Sequence, residues 1–188
     1  MKIITQFFIR SWLVILSSLM WMGCESSTST GTPTTGTTHG TLVSACGFLT
    51  KAEVEAIFHK SVLTMKEDTT KYITACTYIG SVETNFFLPT GLTITAFSTP
   101  GLTGALGPTQ TVPAYFAGLK TITPATDWET VHGIGMEAIW MKKAGKLNFY
   151  KGDVAVSIIY RPTGVLVDTS AAAKAGALAA GTDAAARL

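Results

Sequence analysis

The sequence predicts an α+β domain: an antiparallel sheet of about five strands, with helices packed mainly on one face and one disulfide. Three observations predict it. A capped helix signal stands near residue 50, Thr-, Ile- and aromatic-rich runs bounded by turn residues follow, and the chain closes on an Ala-rich helical stretch. The later β-rich runs are separated by turns too short for crossover helices, so neighbours run antiparallel. Helices segregated from such a sheet pack over one of its faces. A length of 188 residues with 47% hydrophobic side chains suits one domain, placed at residues 42–188, plus N-terminal extensions.

Residues 1–23 have the parts of an export signal. Lys2 and Arg10 lead, and WLVILSSLMWM supplies an apolar core of about eleven residues, well short of the roughly 20 that span a bilayer as a helix. No A-x-A-like cleavage site follows; Gly23-Cys24 does. In this the segment resembles a bacterial lipoprotein signal peptide, with Trp21 where that signal prefers Leu. The resemblance implies that Cys24 begins the mature chain, thioether-linked to diacylglycerol and acylated, with palmitate as a fatty acid. It also implies an address in the cell envelope, with Glu25 after the cysteine compatible with outer-membrane sorting if the source is Gram-negative, and a domain on the periplasmic or outer side.

From Glu25 to Thr41 the chain is Ser, Thr and Gly with one Pro, and too little apolar surface to offset the entropy of ordering. Residues 24–41 therefore read as a lipidated cysteine and its tether, with an r.m.s. reach of about 20–25 Å. His39 lies in it as a solvated residue. The formal charge of +2 comes from Lys2 and Arg10; beyond the signal segment bases and acids balance, and no basic patch points to nucleic acid.

The folded part begins near Leu42. In LTKAEVEAIFHK, Thr50 and Glu53 form a capping box, Leu49 and Val54 a hydrophobic staple, and Val54, Ile57 and Phe58 an apolar stripe at helical spacing. KYITACTYIG and GLTITAFST read as strands. Between them, Phe86, Phe87 and Leu88 stand in a row that no single strand face accommodates, and they form the candidate loop for a ligand or partner. Residues 99–113 read as a Gly/Pro-rich loop, and PAYFAGLKTI as a short helix with Pro113 in its first turn. AIWMKK, LNFYKGD and VAVSIIY read as a three-stranded meander. The helix from Ser170 is weakened by Gly176 and Gly181, and its small side chains predict a close approach to the sheet.

With Cys24 reserved for lipid, Cys46 and Cys76 remain, in a compartment where disulfides persist. Their bridge would close a loop of about 31 residues and stabilise the fold by about 3–4 kcal/mol. The alternative is two buried thiols. The spacing does not resemble a zinc site.

Cys46-Gly-Phe-Leu-Thr-Lys-Ala-Glu-Val, Cys76-Thr-Tyr78, Gly133-Ile-Gly135-Met-Glu-Ala138-Ile-Trp140, Lys151-Gly152-Asp153 before a strand, and an Ala-rich helix ending in Arg187-Leu188 together resemble a family of small bacterial envelope lipoproteins, known chiefly from actinobacteria. Its members show C-x-L-L-T-x-x-E-V, C-x-Y, G-L-G-D-x-A-x-W and K-G-D. The resemblance spans residues 42–188 and implies a lipidated precursor, a Cys46–Cys76 bridge and an α+β fold; it supplies no catalytic residue. Met136 stands where the family often has Asp.

Little chemistry is marked. Gly133-x-Gly135-x-x-Ala138 imitates a dinucleotide fingerprint but precedes a strand, outside any βαβ unit. G-x-S-x-G is absent, Glu53 and Glu55 point different ways on their helix, and Asp153 serves a turn. The expectation is a non-enzymatic, cofactor-free lipoprotein, held to the bilayer by Cys24, whose domain binds an envelope protein, a glycan or a small apolar ligand. The competing expectation is a hydrolase or metal-handling protein centred on His132, which stands near Asp127 and Glu129 in sequence.

Overall fold

The computed structural model describes residues 38–39, 42–81 and 89–188. Cys24, most of the predicted tether, and Phe86, Phe87 and Leu88 lie outside the described residues. Two short strands, β1 (Thr38–His39) and β2 (Leu42–Val43), pair with each other where the tether was expected to end.

The main sheet has seven antiparallel strands, not the five expected. They are β3 (Val62–Thr69), β4 (Thr74–Gly80), β5 (Gly91–Ser98), β6 (Trp128–Val131), β7 (Glu137–Met141), β8 (Lys146–Lys151) and β9 (Val154–Arg161). Their spatial order is β3-β4-β5-β9-β8-β7-β6, so two meanders meet where β5 pairs with β9. The two strands missing from the expectation, β3 and β6, are the two edges. In β3 every residue after Val62 is exposed, and β6 has only four residues, so neither carries the alternation that marks a half-buried strand.

Helices also cover both faces rather than mainly one. On the first face lie α1 (Lys51–Phe58) and α4 (Ala171–Arg187); on the second lie α2 (Thr99–Leu106) and α3 (Val112–Ile122). α2 occupies sequence expected to be loop. Ser98 caps it by accepting from the Gly101 N–H, Pro100 sits in its first turn, and buried Leu102 ties it to Phe97 of the sheet. Tertiary packing thus overrides poor helix propensity.

The first face holds the core. Alternate residues of the central strands, among them Leu92, Ile94, Leu147, Phe149 and Ile158, are fully buried there. α4 meets them through Ala173, Ala177, Ala180 and Ala184, all at 0% exposure and spaced on one helix face. Gly176 and Gly181 are contact positions: a Cβ on Gly176 would lie 2.1 Å from the Tyr160 ring, and one on Gly181 would lie 2.4 Å from Leu147. Their cost in helix propensity therefore permits close packing.

α1 forms as its local signals require. The Glu53 N–H donates to Thr50 Oγ1 at 3.3 Å, the Thr50 N–H donates to Glu53 Oε2 at 2.7 Å, and His59 ends the helix in the left-handed region at φ 53°. Arg187 of α4 donates to the Phe48 carbonyl at 2.6 Å and pairs with Glu53, clasping α4 to the start of α1. The disulfide joins Cys46, in the 3₁₀ turn Ala45–Gly47, to Cys76 of β4, with Cα atoms 4.9 Å apart.

Candidate ligand-binding face

The second face of the sheet is buried unevenly: Ile139, Asn148 and Ser157 are buried, whereas Trp128, Met141, Lys146, Ile159 and Arg161 are half-buried. At one end α2 and α3 seal it. The Phe97 and Tyr115 rings meet edge-on at 5.0 Å, the Phe116 and Tyr150 rings do so at 5.1 Å, and Lys120 of α3 pairs with Glu137 of β7. Toward the other end strand register lays out two further rows. One runs Thr130, Ile139, Asn148, Ser157, Thr95 and Ala75; the next runs Trp128, Met141, Lys146, Ile159, Thr93 and Thr77. Arg161 follows Ile159 on the same side of β9.

These rows differ from the core face in chemistry. Asn148 is 3% exposed, yet its Nδ2 has no hydrogen-bond partner, and the Trp128 indole Nε1 is likewise buried and unpartnered. Both are donors. Lys146 lies in a central strand, half-buried, with no carboxylate or hydrogen-bond partner among the described residues, and burial pushes its ammonium below its ordinary pKa. Arg161 donates to Thr93 Oγ1 at 3.4 Å and has no carboxylate partner among the described residues. Lys146 and Arg161 are diagonal cross-strand neighbours, a relation that sets Cα atoms about 7–8 Å apart, within reach of one group on a ligand.

On this face β4, β5, β8 and β9 contribute no carboxylate. On the flanking strands Glu137 and Asp68 are paired with Lys120 and Lys66, and buried Asp168, whose main chain packs on Gly145, accepts hydrogen bonds from Thr163 Oγ1 and the Ser170 N–H. The arrangement therefore sets two cations and hydroxyls around the half-buried apolar surface of Met141 and Ile159, next to the buried N–H donors of Asn148 and Trp128. It suits a ligand rich in hydrogen-bond acceptors and negative in charge.

The sequence-predicted site residues fall elsewhere. The Cys46–Cys76 bridge is formed. Phe86–Leu88 lie outside the described residues; Ile79 and Gly91, which flank that stretch, pair next to Arg161. His132 is exposed in the turn after β6 and has no hydrogen bond or ion pair among the described residues. Its sequence neighbours are engaged elsewhere: Asp127 pairs with Lys143, and Glu129 with Lys174 and Lys142. Among the described residues no three His, Cys, Asp or Glu side chains gather as a metal site would require, and no helix is long and apolar enough to cross a membrane.

Sequence reasoning passed over Lys146, Asn148 and Ser157. Their signal is alternation: in KLNFYK and VAVSIIYR, polar residues interleave with Leu147, Phe149, Val156 and Ile158. Its meaning depends on β8 and β9 being central strands, where polar side chains lose water. Comparison of the chain with protein families, with curated proteins and with solved structures finds no match.

Proposed function

We propose that this protein is a lipid-anchored component of a bacterial cell envelope, tethered through acylated Cys24, whose domain is a non-catalytic binding or accessory module. The anchoring half of the reading is supported by the short apolar run that ends at Gly23-Cys24, by the charge-poor tether, and by the bridge that occupies the other two cysteines. The binding half rests on one observation: the unpartnered donors of Asn148 and Trp128 on the same sheet face as half-buried, unpaired Lys146. A folded protein that only needed a core would pair such groups or replace them with apolar ones. The ligand lies on the half-buried row of the second face, and its identity follows from acceptors and charge rather than from bulk hydrophobicity.

Each half has its own experiment. Replacement of Cys24 (Cys24→Ser) abolishes membrane partitioning in cell fractionation; unchanged partitioning would refute the anchor. For binding, native mass spectrometry of the Cys24→Ser chain, after incubation with envelope extract, shows an added mass that Asn148→Leu reduces. A chain that retains nothing from any envelope fraction refutes the module as a binder.

A further inference from the structure

The class of ligand follows from the same face, and this inference rests on the binding reading above. We propose that the half-buried row of this face holds a small organic anion, with its carboxylate between Lys146 and Arg161 and its apolar body along Ile159 and Met141 toward Trp128. Charge complementarity carries the assignment. Two cations lie diagonally across β8 and β9 without carboxylates on the four central strands of this face. A guanidinium offers a two-pronged donor set that fits a carboxylate, and Lys146 adds a second charge to the same group.

The surrounding donors have the same sense. Asn148 faces Ser157 across the β8–β9 pair, next to Lys146 on the same face of β8 and with Ile159 between Ser157 and Arg161 on β9, and its amide N–H group is a buried donor without a partner. Trp128 lies two strands away in the Lys146 row and contributes the other buried donor at the edge of the patch. Ile159 and Met141 lie in that row between the polar groups, so a bare inorganic anion would leave their apolar surface unused. A neutral ligand would leave both cations uncompensated at a half-buried position.

The test uses the Cys24→Ser chain and three probes: benzoate, its neutral amide benzamide, and inorganic phosphate. In NMR titrations benzoate shifts the Asn148 side-chain amide and the Trp128 indole resonance, which are identified by their loss in Asn148→Leu and Trp128→Phe. Benzamide leaves both unmoved, and phosphate acts only at much higher concentration. Lys146→Met, which keeps the apolar stem, weakens benzoate about tenfold or more, and Arg161→Gln does the same if the first variant fails to fold. The proposal is overturned if benzoate shifts neither resonance, if benzamide or phosphate matches it, or if both cation variants bind normally. Should the mass retained from envelope extract persist unchanged in Lys146→Met, this assignment falls while the binding reading stands.

Discussion

The same strands show two different chemistries on their two faces. On β8, Leu147 and Phe149 look into the core while Lys146 and Asn148 look the other way; on β9, Val156 and Ile158 stand opposite Ser157 and Ile159. The first face is closed by α4, whose alanines and glycines bring backbone onto rings. The second is sealed at one end by Phe116 and its neighbours and passes through buried Asn148 to the half-buried row of Lys146 and Ile159. Fully burying a Leu or Phe side chain is worth about 1.5–3 kcal/mol, whereas a buried amide without a partner costs about 1–3 kcal/mol. One face therefore stabilises the fold, and the other gives some stability up. Costs of that kind gather where a protein handles ligands.

Truncation should separate the faces most sharply. Phe149→Ala, on the first face, removes a fully buried ring and should cost about 3–5 kcal/mol. Thr95→Ala, in a central strand but on the second face, should change stability by no more than about 0.5 kcal/mol. Denaturant unfolding measures both, with the disulfide intact in each variant. Similar costs at the two positions would mean that the second face is a second core.

A smaller effect of opposite sign sharpens the comparison. Asn148→Leu replaces an unpartnered amide with an apolar group of similar size and should raise stability by about 1 kcal/mol or more. Most substitutions at buried positions destabilise, so a gain here is informative. A clear loss in thermal unfolding would show that Asn148 belongs to a satisfied structural network, and that the donor-rich face is scaffold.

What was legible in the sequence was local. The Thr50–Glu53 capping box and the Ala-rich α4 depend on neighbours in the chain, and both stand where the sequence puts them. The edge strands β3 and β6 were not legible, because solvation at an edge removes the alternation that identifies a strand. α2 was hidden by Pro100, Gly101 and Gly104, since the contact of Leu102 with Phe97, not propensity, makes it helical. The second-face patch needed the pairing of β5 with β9, residues some sixty apart in sequence. Without that register Lys146, Arg161 and Thr93 are unrelated polar residues. Phe86–Leu88 drew notice for a local reason, a run of three large apolar residues, and local runs say little about where charge is left unpaired.

The smallest predicted effect concerns a cation and a carboxylate that find each other across elements on the first face, Arg187 and Glu53. Burial alone would raise the Glu53 carboxyl, but hydrogen bonds from Arg187 and from Thr50 outweigh it and hold the group below its ordinary 4.5. A carboxyl with a depressed folded pKa binds protons less readily in the native state than in the unfolded one. Its contribution is therefore present above pH 4.5 and is lost as the pH falls through 4.5 and then through the lower folded value. Glu53→Gln should lack that part of the acid dependence while remaining close to wild type at pH 7, within about 1 kcal/mol, because the pair is partly solvated. Unfolding curves between about pH 7 and pH 3 would show the two chains converging with acid. Parallel curves would mean that Arg187 holds α4 through the Phe48 carbonyl alone. Convergence would confirm that the first face satisfies its charges internally, which Lys146 and Arg161 on the second face do not.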